Sequence, residues 1–315
     1  MAHAWSGIDR IQTNTGKIDR KEEQMKYADR KGNIKGSDNG QDNLIKWMYD
    51  TMVGRALVKM LVNPVVSKLG GKVLSASVSA FAVPSFCKKN GIDMSDYEEK
   101  RYTSYNDFFT RRIKPGKRLF NPNPDVLISP CDSKLSVYPI GENLHFNVKN
   151  TMYTVHSLLR DKRLAAHFRG GYACVFRLTV DDYHRYAYID GGFQTKEREI
   201  KGVLHTVNPA ANDVYPIYKE NSRIYSILKS ENFGNVLMME VGALMVGRIV
   251  NEASQCYVSR GQEKGHFEFG GSTIILLFEK DKVVIDEDIL NNSKNDIETK
   301  VRLGESIGRK CNKFG

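Results

Sequence analysis

Gly270-Gly271-Ser272-Thr273 sets a primary hydroxyl directly after two glycines and ahead of the apolar run "IILLF". That order permits an N-to-O acyl shift in which the Ser272 hydroxyl attacks the Gly271 carbonyl through a five-membered ring. Glycine leaves the carbonyl unshielded and tolerates distorted dihedrals, and a rigid strand holds the strain where the bond must break. The same four residues also read as a plain turn, with Gly supplying positive φ and Ser and Thr tying down local backbone. Chemistry at Ser272 needs a base and a group that orients it. His184 is a candidate imidazole: an extended "YHRYAY" puts His184 and Tyr186 on one face, where the ring can point into a lined cavity. Asp182 stands two residues before it, able to orient the ring. His205 in "LHTVNP" is a second imidazole, better explained from the residues alone as a hydrogen-bonded turn residue, and Thr273 is a secondary hydroxyl.

These groups need elements to carry them. Residues 1–40 are rich in Lys, Asp, Asn, Gly and Gln, and they read as a disordered extension that cannot bury enough surface to order itself. Residues 41–120 read as a helical, basic region, with two or three helices over 43–90 punctuated by Pro64 and Gly70-Gly71. Ser104 or Asn106 caps a further helix, and Lys114-Pro115-Gly116 breaks the chain. Residues 121–315 change texture. β-branched and aromatic runs such as "DVLISP", "KLSVYPI", "YACVFRLTV", "HRYAYID" and "STIILLFEKDKVVID" predict strands, and "VLMMEVGALMVGRIV" joins them because of Gly242 and Gly247. The expected fold class is α+β, an N-terminal helical membrane-facing region packed on a largely antiparallel β-rich catalytic body.

Charge is distributed unevenly. The net charge of +10 comes almost wholly from residues 51–120, where 13 basic residues face 5 acidic ones. Together with apolar residues at helical spacing in "WMYDTMVGRALVKMLVNPVV", this fits contact with an anionic membrane surface, against the plainer reading of an amphipathic helix on a core. No helix-turn-helix, zinc-finger or RNP pattern supports nucleic-acid binding. The five cysteines are widely spaced with no C-x-x-C pair, which suggests neither a disulfide framework nor a zinc site and fits a reducing cytoplasm. No apolar stretch has the form of a signal peptide or a membrane span. Glu240 and Glu263 read as surface or strand-edge ion pairs, and Tyr183 and Phe269 either line a pocket or belong to the core.

"KGHFEFGGSTIILLFE" resembles the self-cleaving Gly-Ser-Thr segment of phosphatidylserine decarboxylases, and further segments agree in that family's order. They are "YNDFFTRRIKPGKRLF", "LISPCDSKL", "VFRLTVDDYHRYAYIDGG", "VLHTVNPAA" and "MMEVGALMVGRIV", and the resemblance runs from about residue 44 to about residue 286. It implies autocatalytic cleavage between Gly271 and Ser272 into a β chain (1–271) and an α chain (272–315). Ser272 would become a covalent pyruvoyl group that forms a Schiff base with phosphatidylserine and releases CO2, giving phosphatidylethanolamine. No metal is implied. The family's Ser-Pro-x-Asp-Gly segment carries over to Asp132, with Ser133 where glycine is usual; without the resemblance Asp132 reads equally as a turn cap after Pro130. The family commonly has a second histidine where this chain has Ala187, so His184 serves both roles or His205 supplies the other. The implied place is the cytoplasmic face of the cell membrane, as a peripheral protein, and a homodimer is compatible with it. Two alternatives stand beside this reading: a pyruvoyl-dependent decarboxylase of a soluble amino acid, and a non-catalytic lipid-binding relative.

Overall fold

The run that begins at Ser272 becomes strand Ser272–Phe278, in which every residue is buried. An uninterrupted apolar strand is stable only where both faces are covered, and this one lies mid-sheet between Gly234–Val241 and Tyr172–Leu178, antiparallel to both. The computed structural model describes residues 26–36, 48, 51, 54, 58, 64–148, 151–206, 216–243, 248–270 and 272–312. Among them the central sheet has eleven strands. Beyond Tyr172–Leu178 it continues through Ser133–Pro139 and Glu298–Val301. Beyond Gly234–Val241 it continues through Arg223–Ser230. A three-stranded sheet of Ile249–Asn251, Glu263–Phe267 and Arg185–Ala187 brings the His184 segment alongside the segment that leads into Gly270. All described strand pairs but one are antiparallel, as the alternating and apolar runs predict; the exception pairs Tyr27–Ala28 with Glu298–Thr299.

The arm expected to be disordered contains order. Lys26–Ala28 and Ile34–Gly36 form a hairpin that adds to the sheet edge beside Glu298–Val301, and Ala28 is fully buried. Its partner strand is remote in sequence, so the polar composition of the arm carried no sign of the pairing. Residues 1–25 and 37–47 lie outside the described residues.

The helical region is present in the part of it that is described: Pro64–Ser75, a 3-10 turn Ser77–Ala82, Val83–Asn90 and Tyr105–Phe109. Gly70-Gly71 sit inside the first helix and do not break it. Pro64 heads that helix, where its missing N–H is one of the donors a helix leaves unpaired anyway. Ser104 caps the last helix, its side chain accepting from the Asp107 N–H, and Gly116 turns the chain at φ +80°. Val83, Tyr105, Phe108 and Phe109 form a small core of their own, with Phe269 packed against it. Two polar ties fasten it to the β body: Arg185 donates to the Thr110 carbonyl, and the Phe269 N–H donates to Asn106 Oδ1 at 3.0 Å. The helical region thereby grips the chain three residues before Ser272.

Candidate active site

Ser272 opens the central strand, opposite Leu178, and is fully buried. Its Oγ has no hydrogen-bond partner, and neither has the Oγ1 of Thr273. A buried hydroxyl without a partner costs about 1–3 kcal/mol, so a hydroxyl held this way at the head of a rigid strand signals a role other than fastening a turn. Gly270 has φ +134°, a backbone region open to glycine alone in practice. Gly271 lies outside the described residues.

His184 lies just before strand Arg185–Ala187 and is fully buried, its ring 4.0 Å from that of Phe109. Phe109 and Tyr105 in turn hold Phe269, at centroid distances of 5.2 and 5.0 Å. One aromatic stack therefore links the imidazole to the segment that ends at Ser272. The Nδ1 atom of His184 is 3.0 Å from the Asp182 carbonyl oxygen, and a carbonyl can only accept, so Nδ1 carries the hydrogen. Nε2 is left as a bare lone pair with no partner. Burial first, and the charge of Arg111 second, push the His184 pKa down to about 3, which keeps the ring neutral.

Asp182 orients His184 through its backbone and not through its carboxylate. That carboxylate accepts from the Thr179 N–H and hydroxyl, both at 2.8 Å, and lies 3.5 Å from Lys134 Nζ. Asp132 is also engaged elsewhere. Arg118 grips it at 3.0 and 2.5 Å, and the Leu303 N–H donates to it at 2.7 Å. Neither carboxylate is hydrogen-bonded to His184 or to Ser272. Ala187 packs in an apolar cluster with Tyr97, Tyr183 and Leu303. Ser133 is buried with its hydroxyl unpartnered. Because Lys134 faces Arg177 and Ser272 faces Leu178, Ser133 lies in the same row of the sheet as Ser272, two strands away.

His205 is not brought to His184 by any described contact. It is buried, its Nε2 is 3.7 Å from Glu220, and Asn221 ties its backbone to the Gly242 carbonyl. Burial lowers its pKa. Tyr183 is buried against Tyr97, and Phe269 is half-buried against the small helical core.

Two features escaped the sequence reading. Glu240 is no surface ion pair: it meets Lys264 at 2.8 Å with both side chains fully buried, and Asn251 bridges to Glu197 beside them. Glu263 does pair with arginines, Arg185 and Arg112, but at the start of the middle strand of its three-stranded sheet. With Glu252 and His266 it also forms the described trio with metal-ligand spacing, but the two guanidiniums on Glu263 oppose a cation there. The second feature is Arg111, buried beside His184. Nothing in "FFTRRIKP" marks the first of its two arginines as the inner one.

Comparisons with known proteins identify the family. A family model described as phosphatidylserine decarboxylase matches residues 105–309. Phosphatidylserine decarboxylase proenzyme 2 of Clostridium acetobutylicum is 48% identical over 86% of this chain and 92% of its own length. The phosphatidylserine decarboxylase proenzyme of Clostridium tetani is 41% identical over 86% of this chain and 94% of its own. That of Fusobacterium nucleatum is 38% identical over 92% and 99%.

Proposed function

The chain belongs to the phosphatidylserine decarboxylase family, and on that premise we propose that it cuts its own backbone between Gly271 and Ser272 and then converts phosphatidylserine to phosphatidylethanolamine and CO2. The observation that carries this reading is the buried, unpartnered Ser272 Oγ at the head of a rigid strand, just after the strained Gly270. His184 is the base: its neutral Nε2 takes the Ser272 proton while Nδ1–H stays fixed on the Asp182 carbonyl. The hydroxyl oxygen then attacks Gly271, the peptide C–N bond breaks, and an ester replaces it. Loss of the Ser272 α-proton expels the Gly271 carboxylate, and hydrolysis of the resulting dehydroalanine releases ammonia and leaves a pyruvoyl group. That group supplies an electron-poor ketone which captures the lipid amine and accepts the electron pair freed as CO2 departs. Asp132, clamped by Arg118 and the Leu303 N–H, acts in this reading by fixing the Pro130–Ser133 corner beside the site. Denaturing electrophoresis with intact mass tests the cleavage. Wild type should run as two pieces and Ser272→Ala as one chain of 35.7 kDa, and an uncut, active wild type would count against it.

The helical region supports a lipid substrate over a soluble amino acid. Leu69, Val73, Val78 and Phe81 are 59–86% exposed, and Lys72, Lys88 and Lys89 are exposed on the same bent unit. No single described helix is long and apolar enough to cross a membrane, although the pair Leu69–Ser75 and Ser77–Asn90, bent by 73°, has the length and composition to do so together. Apolar side chains beside lysines fit a peripheral seat on an anionic bilayer, and so the cytoplasmic leaflet.

A further inference from the structure

Arg111 is 2% exposed, and no carboxylate lies within ion-pair distance of it among the described residues. Its Nε has no partner, and its other contacts are long: the Tyr97 hydroxyl at 3.3 Å and the carbonyls of Phe108 and Asp182 at 3.5 Å. The guanidinium lies over the rings of Tyr97 and Phe108, at 4.3 and 4.6 Å, which softens the burial of the charge without neutralising it. Two deeply buried arginines of the central sheet have closer partners. Arg177 has the Glu298 carboxylate, and Arg223 has four backbone carbonyls at 2.8–3.2 Å. A desolvated guanidinium with one orphaned nitrogen and only stretched neutral contacts keeps hydrogen-bonding capacity that suits an anion.

Its place narrows the anion. Nη2 of Arg111 and Nδ1 of His184 lie 3.5 and 3.0 Å from the same Asp182 carbonyl oxygen, so the guanidinium and the imidazole are neighbours across one oxygen. We propose that Arg111 is the seat for an oxyanion of the lipid head group, holding it beside His184 while the amine is processed; this rests on the decarboxylase reading above. The anion is the phosphodiester or the serine carboxylate, which share the geometry a guanidinium fork prefers. Tyr97 and Phe108, which cover the guanidinium, are the side chains that must part to admit it. Seating the anion has a second effect. The groups acting on the imidazole charge are Arg111 and Lys134, which disfavour it, and Asp181, which favours it. An anion on Arg111 cancels one of the two opposing charges, so head-group binding makes His184 easier to protonate at the step where the product needs a proton.

The test compares wild type with Arg111→Gln and Arg111→Lys, with all rates normalised to pyruvoyl content so that differences in self-cleavage drop out. On phosphatidylserine in mixed micelles, Arg111→Gln should raise KM about tenfold or more, with a smaller change in kcat, and Arg111→Lys should fall between. Glycerol 3-phosphate and propionate serve as soluble probes. Inhibition of wild type by the first alone assigns the phosphodiester, and by the second alone the carboxylate; either should weaken about tenfold in Arg111→Gln. If that variant does not fold, calorimetric titration of wild type with both probes decides. Binding of neither, or an Arg111→Gln enzyme with wild-type KM and wild-type inhibition, overturns the seat. An active wild type with an inert Arg111 would do so while leaving the decarboxylase reading intact.

Discussion

At the scale of residues, the site rests on one neutral imidazole. Burial and Arg111 lower the His184 pKa from 6.5 to about 3, so below pH 6.5 the unfolded chain takes up a proton that the folded chain refuses. The stability this provides is complete above pH 6.5 and is lost as the pH falls toward 3, at about 1.4 kcal/mol per pH unit. Burial lowers the pKa of His205 and His266 in the same direction. Urea unfolding of uncut Ser272→Ala between pH 6.5 and 4.5 should therefore show a steeper loss than the same protein carrying His184→Gln; equal slopes would contradict the neutral assignment. The self-cleavage rate should in turn stay level from pH 5 to 8, since the base does not titrate there. Ser272 and His184 stood out in the sequence as candidates because their residue types and neighbours suit the proposed chemistry. That Asp182 acts through its carbonyl was not legible, because a side chain and a backbone oxygen of one residue look alike in a sequence. Arg111 was hidden for a related reason: the chain direction after Phe109 buries it and leaves Arg112 more than half exposed, a matter of phase that two adjacent arginines do not reveal.

Among the elements, the strands were readable and the long-range ties were not. Apolar runs bounded by turn residues predicted Tyr172–Leu178, Gly234–Val241 and Ser272–Phe278, since burial on both faces leaves a continuous signature. Glu240 interrupts such a run, and only the pairing of Gly234–Val241 beside Ser272–Phe278 shows that it points inward to Lys264. Removing one partner leaves a buried charge alone, so Lys264→Met should destabilise by about 3–5 kcal/mol, with Lys264→Met/Glu240→Gln recovering part of the loss. Chemical denaturation of both variants checks this, and a mild single mutant would mean that the pair is not truly desolvated. For the helical pair, Phe81→Asp should weaken sedimentation with phosphatidylserine-containing vesicles about tenfold or more while leaving self-cleavage unchanged. Unchanged vesicle binding would move the membrane contact elsewhere.

For the molecule as a whole, the proposed cleavage before Ser272 would leave the C-terminal piece woven into the sheet. Its first strand stays between two partners, Glu298–Val301 pairs with Ser133–Pro139, and the N-terminal hairpin adds a clamp in which Arg30 binds Asp286, Asp288 and the Ser306 carbonyl. The two pieces should co-elute on native size-exclusion chromatography and separate only in denaturant. Arg30→Ala, which removes a partly exposed clamp, should lower the unfolding free energy by about 1 kcal/mol or less, read from a shifted denaturant midpoint at unchanged slope. The central claim remains the conversion of one backbone bond into an electrophilic ketone, and mass spectrometry of the smaller piece tests it most directly. The fragment should begin at position 272 with a blocked terminus that reacts with a carbonyl reagent. A free serine amine at that terminus, or an unbroken chain in protein that turns over phosphatidylserine, would contradict the account.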